Sequence, residues 1–349
     1  MPERTLTRRI ISVLDPTLEA RIVRRVPMHY ADGVDASVDR PAHVRAASSM
    51  TWLGSRIALV QDDVNFVALV DPLTGLATAV TLPAGKDDLR QFDVGRGNKK
   101  YKLDLEALTR VPHADGSTLL AFGSGSKKRR ETVMMLSFAG RAEHPVPTEP
   151  SLVALPALYA ALRSEAAFAG SDMNIEGAMY LDGAIRLFGR GNGEAKDGLM
   201  PLDATCDLEW GVLQAHIGKP DELPLPSIRR VTQYDLGSVD GVALGFTDAI
   251  PLQRGMVMYS AAAEASPDAS EDGEVGGSAL GVLPNDRRLG GRWAPILDER
   301  GAPFTGKVEG LVLDRRDPGR ALVVIDVDDH TRPSELCEVE LRGPWLARG

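Results

Sequence analysis

The chain has 349 residues, of which 43% are hydrophobic and 26% are charged, and this composition excludes a mostly disordered protein. Its net charge of −9 argues against a general nucleic-acid binder and favours a cationic or metal-bound partner. The sequence contains no apolar run near the ~20 residues of a membrane span. Its two cysteines, Cys206 and Cys337, are too few for a disulfide framework or a structural zinc site. We therefore expect a cytoplasmic protein without membrane or nucleic-acid partners.

Short strands separated by turns account for most of the chain in sequence order. Residues 8–14 (RRIISVL) form the first predicted strand, and apolar segments bounded by Gly, Asp, Asn and Pro follow at short intervals. Only residues 151–168 keep a helical spacing of apolar positions, which predicts one short helix in a connection. The acidic segment 265–277 predicts a mobile loop, because it offers little apolar surface to bury.

A unit of two strands recurs five times along the sequence. The first strand of each copy is predicted at residues 47–53, 104–111, 174–181, 246–252 and 307–313. The third residue of each of these segments is Ser49, Glu106, Glu176, Asp248 or Glu309, in chain order. Successive third positions are 57 to 72 residues apart, which fits the four-stranded blades of a β-propeller.

This repeat predicts an all-β fold, a single propeller domain over residues 1–349. We expect five four-stranded blades, with room for a sixth in the closing interval and in residues 207–240. The N-terminal strand, residues 8–14, should complete the last blade. A β-sandwich or a two-domain β protein is the alternative.

Hairpin geometry predicts where the polar residues of each copy meet. The first strand of a propeller blade lines the central channel, and the second strand returns to the same edge. The five third-position residues should therefore converge at one mouth of the channel. The ends of the second strands should surround them with Asp62, Asp63, Ser124, Ser126, Arg190, Asn192, Glu264, Asp326, Asp328 and Asp329.

Four of the converging residues are acids, and a bound divalent cation would relieve their mutual repulsion. We expect Glu106, Glu176, Asp248 and Glu309 to hold the metal. Oxygen ligands without Cys or His favour Ca²⁺ or Mg²⁺ over zinc, and Ca²⁺ suits a loose ring of carboxylates. The alternative is structural: these acids accept hydrogen bonds from backbone N–H groups of neighbouring blades and hold the ring together.

Basic and amide residues at the same mouth predict an anionic substrate. The expected substrate ligands are Lys99, Lys100, Arg190, Asn192 and Lys307. Either Asp62 or Glu264 is the expected catalytic base toward a metal-bound water.

A resemblance to a known family is carried by the segments KKYKLDLEAL, LLAFGSGSKKRRE, MNIEGAMYL, GFTDA and KVEGL. Over residues 45–341 the chain resembles an uncharacterised bacterial β-propeller family that is similar to the group called “esterase-like activity of phytase”. The resemblance implies calcium-assisted phosphoester hydrolysis at Glu106, Glu176, Asp248, Glu264 and Glu309. The first copy departs from the pattern, because Ser49 stands where an acid is expected.

Together, these observations predict a metal-assisted hydrolase of a small anionic ester, phosphoester or lactone. The alternative is a non-catalytic propeller that binds a ligand or a protein segment at the same mouth.

Overall fold

The computed structural model describes residues 8–140, 146–265, 273–286 and 288–346. Within these residues the chain forms an all-β propeller of five blades, as the repeat predicted. The innermost strand of each blade packs against the innermost strands of the two neighbouring blades, which closes the ring. Three strands precede the first blade: β1 (Arg8–Leu14), β2 (Glu19–Pro27) and β3 (His29–Tyr30).

Each blade is an antiparallel sheet built from consecutive strands. Blade 1 contains β4 (Ala47–Leu53), β5 (Arg56–Gln61), β6 (Phe66–Val70) and β7 (Leu76–Thr81). Blade 2 contains β8 (Leu105–His113), β9 (Gly116–Gly123), β10 (Thr132–Ala139), β11 (Val146–Pro147) and β12 (Ser151–Ala154), and the last two both pair with β10.

The remaining blades follow the same plan. Blade 3 contains β13 (Ile175–Leu181), β14 (Ala184–Gly189), β15 (Asp203–Glu209) and β16 (Arg229–Asp235). After the short β17 (Ser238–Val239), blade 4 contains β18 (Val242–Pro251), β19 (Val257–Ala265), β20 (Glu274–Leu283) and β21 (Gly291–Leu297). Blade 5 contains β22 (Lys307–Leu313), β23 (Arg320–Asp326) and β24 (Glu335–Arg342).

Blade 5 is completed by β2, which pairs antiparallel with β24. The prediction that residues 8–14 complete this blade was wrong: β1 pairs in parallel with β16 and with β21, between blades 3 and 4. The two strands bury their inward faces in different cores. Ala20 and Ile22 of β2 belong to the hydrophobic cluster of blades 4 and 5, whereas Ile10 of β1 belongs to the cluster between blades 3 and 4.

Helices occupy two connections. Helices α1 (Pro156–Ser164) and α2 (Ala166–Ala169) join blades 2 and 3, where the sequence predicted one helix, although residues 151–154 are strand. Helix α3 (Trp210–Gly218) joins β15 to β16 and was not predicted. Residues 207–240 hold the end of β15, α3, β16 and β17 with their connections, so the described chain has no sixth blade there. Among the described residues, no helix has the length and apolarity needed to cross a membrane.

Part of the predicted acidic loop is strand in the structure. Residues 266–272 of the segment 265–277 lie outside the described residues, whereas residues 274–277 belong to β20 and pair with β19. The final part of the loop prediction was therefore wrong.

Hydrophobic side chains fill the spaces between neighbouring blades. Met50 of blade 1, for example, packs in one cluster with Leu322 and Val324 of blade 5. Four further clusters occupy the other blade boundaries. The first and last blades are thus held together by the same apolar packing as any other pair.

A β-bulge interrupts each innermost strand near its start. The five residues left unpaired are Ser48, Glu106, Glu176, Thr247 and Glu309. Because a bulge re-aims the side chain it carries, these residues are the structurally equivalent ones. The third position of the predicted repeat therefore coincides with the bulge residue in three copies. In the other two copies the prediction named Ser49 and Asp248, each one residue after the bulge residue.

The position after each bulge lies where the innermost strands crowd together. Most copies place a small residue there, and a Cβ on Gly310 would stand 2.8 Å from the Val324 side chain. Asp248 is the exception: it is 1% exposed and accepts hydrogen bonds from Leu311 N at 3.0 Å and Ser49 Oγ at 3.1 Å. Its carboxylate therefore links blade 4 to blades 5 and 1.

We predict that Asp248→Ala destabilises the ring. The change leaves buried N–H and O–H donors without their acceptor, and each such donor costs about 1–3 kcal/mol. The free energy of unfolding, measured by denaturant titration, should fall by at least about 2 kcal/mol. The control is Asp221→Ala on the exposed surface, and equal stability of the two variants would contradict the linking role.

Candidate active site at the channel mouth

A cavity of about 150 Å³ lies at the end of the channel where the bulges occur. The bulge acids Glu106, Glu176 and Glu309 line it, and the ends of the second strands of four blades surround them, as the hairpins predicted. Ser124 and Ser126, predicted at the mouth from blade 2, are not among its lining residues. Its walls carry eleven aspartates or glutamates and five lysines or arginines, so carboxylates predominate. Such a mouth attracts cations.

The structure brings most of the predicted site residues to this cavity. They are Asp62, Lys99, Glu106, Glu176, Arg190, Asn192, Glu264, Lys307 and Glu309. Two predicted residues lie elsewhere. Asp248 is buried in the ring contacts described above, and Lys100 packs beside Tyr101, with Nζ 5.2 Å from the ring centroid.

A second ring of residues was missed by the sequence analysis, apart from its member Lys307. It stands two positions before each bulge and comprises Ala46, Asp104, Asn174, Gly245 and Lys307. All of these line the cavity except Gly245, where a Cβ would stand 2.9 Å from the Arg190 side chain. Gly245 therefore leaves room for Arg190. The signal was available, because residues two apart on a strand share a face and every motif copy can be aligned at this position.

One group of charges, the lysine cluster, comprises Asp62, Lys102, Asp104, Glu106 and Arg130. The Lys102 ammonium contacts both Asp62 and Asp104, at 2.7 Å from Asp104 Oδ1. Arg130 lies 2.8 Å from Asp104 Oδ2, and the Ser124 hydroxyl donates to the same oxygen. This cluster fixes the Asp104 carboxylate from three sides.

Asp104 and Glu106, two acids of the lysine cluster, have pKa values that are shifted in opposite directions. Burial favours the neutral form of Asp104, but Lys102 and Arg130 outweigh it and hold its pKa below the usual value. Burial, together with the charges of Asp104 and Asp62, raises the pKa of Glu106 well above its usual value. Glu106 therefore holds a proton under conditions in which Asp104 is ionised.

The second group, the arginine cluster, comprises Glu176, Arg190, Glu264, Lys307 and Glu309. Arg190 lies 2.8 Å from Glu264 and 3.6 Å from Glu176. Lys307 lies 2.8 Å from Glu309 and 3.3 Å from Glu264. Acids and bases alternate through this cluster, so the chain itself supplies much of the neutralising charge that the sequence analysis assigned to a metal.

Glu309 differs from the other acids of the arginine cluster. It is 6% exposed, and its Oε2 has no hydrogen-bond partner among the described residues. Burial raises the pKa of Glu309 to about 7, against the opposing effect of Lys307. Because its pKa is near 7, Glu309 can gain and lose a proton near neutral pH. Asp326 lines the same cavity, and burial raises its pKa as well, assisted by Asp62 and Asp328.

A compact group of oxygen ligands for a cation lies in the lysine cluster. Carboxylate oxygens of Asp62, Asp104 and Glu106 all lie within 4.8 Å of one another, and this donor set suits Ca²⁺ or Mg²⁺. The group shares only Glu106 with the predicted metal ring. Asp248 lies outside the cavity and cannot join that ring, whereas Glu176 and Glu309 line the cavity and contact Arg190 and Lys307.

The sequence of residues 43–341 matches a family described as “Family of unknown function (DUF6929)”. The chain belongs to this family. Membership of an uncharacterised family is thus confirmed, whereas phytase-like chemistry stays a prediction. The comparison with curated proteins found no match.

Solved structures with low similarity cover nearly the whole chain. Glutaminyl cyclase of Myxococcus xanthus is 10% identical over 97% of this chain and 99% of that chain, with a TM-score of 0.44. The GH93 α-L-arabinofuranosidase of Fusarium graminearum is 11% identical over 91% and 98%, with a TM-score of 0.42. A gluconolactonase of Xanthomonas campestris is 10% identical over 95% and 99%, with a TM-score of 0.32. At these TM-scores the similarity assigns no chemistry.

We predict that Glu309 makes stability depend on pH. Its pKa is about 7 in the folded protein and near the ordinary value of about 4.3 in the unfolded chain, so folding binds a proton between these values. This contribution is complete at low pH and is lost as the pH rises toward 7. Glu309→Gln removes it, so the melting temperature of the variant relative to wild type should be a few degrees higher at pH 8 than at pH 4.5.

The measurement is thermal melting of both proteins in chelator at the two pH values. Glu274→Gln, at an exposed position on β20, is the control and should show no such change. A difference between Glu309→Gln and wild type that is the same at both pH values would show that Glu309 does not titrate in this interval.

Proposed function

We propose that the channel mouth is the active site of a cation-assisted hydrolase that acts on a small anionic ester, phosphoester or lactone. One observation carries the proposal: a single cavity holds both a compact carboxylate group suited to a divalent cation and a separate acid, Glu309, that titrates near neutral pH. Hydrolysis needs these two elements, one to stabilise negative charge and one to move a proton.

Asp62, Asp104 and Glu106 would hold the cation, with Ca²⁺ the preferred ion. The bound cation supplies charge stabilisation on the substrate oxygen and a water of lowered pKa. To act as a ligand, Glu106 must release the proton that burial favours, so cation binding should strengthen as the pH rises. Lys102 lies between Asp62 and Asp104 and would keep these two carboxylates oriented.

The other residues of the mouth would bind the substrate and transfer the proton. Lys99, Asn192 and Lys307 would contact its anionic group, because all three line the cavity. Glu309 would act as the proton-transfer group, in place of the predicted base Glu264. Glu264 already accepts from Arg190, from the Gly273 N–H at 2.7 Å and from Lys307, so its oxygens are occupied.

A second function is favoured by one specific observation. Lys102 already places a positive charge between Asp62 and Asp104, where a divalent cation would compete with it. If the Lys102 ammonium keeps a divalent cation out of this position, the mouth would bind a ligand without hydrolysing it. Both proposals include a cytoplasmic location and no nucleic-acid or membrane partner.

We predict that Ca²⁺ stabilises the wild-type protein and that Glu106→Gln abolishes the effect. A ligand at about 100 times its dissociation constant stabilises the state it binds by about 2.7 kcal/mol. The melting temperature should therefore rise by a few degrees in Ca²⁺, and less in Mg²⁺, than in chelator. Glu309→Gln should keep the rise, because Glu309 is outside the cation group. An unchanged wild-type melting temperature in Ca²⁺ would favour the binding site without hydrolysis.

We also predict that the two acids have separable effects on turnover. With 4-nitrophenyl phosphate, 4-nitrophenyl acetate and a small lactone as substrates, Glu309→Gln should lower kcat by about 100-fold or more without weakening Ca²⁺ binding. Glu106→Gln should remove the Ca²⁺ dependence together with the activity. The control is Glu274→Gln. Turnover that is equal in wild type and Glu309→Gln would contradict the role of Glu309.

A further inference from the structure

A second cavity, of about 620 Å³, lies between blades 3 and 4 on the face opposite the mouth. The strand β13 shows the separation: Glu176 lines the mouth, and Leu181, five residues and about 16 Å further along the strand, lines the second cavity. Strand β1 closes the outer side, because it pairs with both blades at this boundary. This site is independent of the function proposed for the mouth.

The floor of this cavity is apolar. Its buried lining residues are Ile10, Phe188, Tyr234, Val257 and Leu283, each at most 7% exposed. They belong to the hydrophobic cluster between blades 3 and 4, so the cavity ends on a packed core. An apolar or aromatic group of a ligand could therefore be buried here without displacing a charged side chain.

Three arginines stand around this floor: Arg186, Arg230 and Arg254. Arg186 is held by two parallel hydrogen bonds to Asp207, of 2.6 and 2.9 Å. Arg254 is exposed, and its side chain has no ion pair or hydrogen bond with any residue in the described part of the chain. Arg230 is exposed and lies 3.7 Å from Asp207 Oδ2, and Asp182 also lines the cavity. The cavity thus combines one guanidinium fixed by hydrogen bonds, a second with a single longer ion pair, and a third, Arg254, whose exposed N–H groups can bind an anion.

The backbone at two of these arginines is strained. Arg230 has φ +52° in a bulge between β15 and β16, and Arg254 has φ +61° in the loop from β18 to β19. Such left-handed positions favour glycine, and they cost other residues roughly 1–2 kcal/mol. All other described non-glycine residues with positive φ are aspartates or one alanine. The local backbone therefore gives no reason for arginine at either position, and strain of this kind clusters at functional sites.

We propose that this cavity binds a small amphiphilic anion, with its carboxylate or phosphate-type group held by Arg230 and Arg254 and its apolar body on the floor. Guanidinium groups bind such oxyanions through paired, charge-assisted hydrogen bonds. The arginines account for the charge of the ligand, and the buried floor accounts for its apolar part.

The test uses isothermal titration without added metal and with three probes: phenylphosphonate, inorganic phosphate and benzyl alcohol. Phenylphosphonate contains both required groups and has no ester to hydrolyse. It should bind at least about tenfold more tightly than either of the others. In the double variant Arg230→Gly, Arg254→Gly its affinity should fall at least about tenfold, which is the effect of losing one charge-assisted hydrogen bond.

Stability separates a ligand site from a structural role. The double variant should melt at or above the wild-type temperature, because glycine relieves the strain at both positions. A structural role predicts a lower melting temperature instead, and that result would overturn the proposal. The control is Arg300→Gln, an exposed arginine outside the cavity, which should keep full affinity. Unchanged affinity in the double variant, or phosphate binding as tight as that of phenylphosphonate, would also overturn it.

Discussion

The convergence of five innermost strands on one axis is the constraint on which the rest of this molecule depends. Strands that meet this closely leave little space for side chains, so glycine or alanine follows the bulge in three blades. Asp248 uses the same position differently, since it accepts hydrogen bonds from two other blades. The bulge resolves the conflict between packing and chemistry. It turns one residue per strand toward the mouth, while the next residue serves the closure of the ring.

The same geometry forms the mouth, because it brings the polar residues at the strand ends together at one end of the channel. The two rings of positions, at the bulge and two residues before it, carry four acids and one lysine. Lys102, Arg130 and Arg190, from outside the rings, place opposite charges beside these acids. The chain thereby satisfies most of its buried carboxylates with its own lysines and arginines. The exceptions are informative. Burial raises the pKa values of Glu106, Glu176, Glu309 and Asp326. Among them, Glu106 belongs to the group suited to a cation, and Oε2 of Glu309 has no hydrogen-bond partner among the described residues.

Sequence patterns predicted the propeller, its five blades and one mouth, because hairpin geometry follows from strand order alone. They failed where the three-dimensional pairing decides. The frame of the repeat was misplaced at Ser49 and Asp248, because a bulge shifts the register by one residue without altering composition. The apolar residues flanking each bulge, such as Phe246 and Ala249, were the available signal. The ion pairs of Lys102 were beyond sequence reasoning, since they depend on how neighbouring blades are rotated.

Ring closure alone does not explain the charges at the mouth. A buried ion pair is an inefficient way to stabilise a fold, because desolvation offsets much of its attraction, and apolar residues of similar volume often serve better. The blade boundaries of this protein are already filled by hydrophobic clusters, and Asp248 links the strands at the centre. Eleven carboxylate residues around one cavity therefore exceed what stability requires. Their concentration beside a group of cation-binding geometry is the strongest physical reason to seek the function at this mouth.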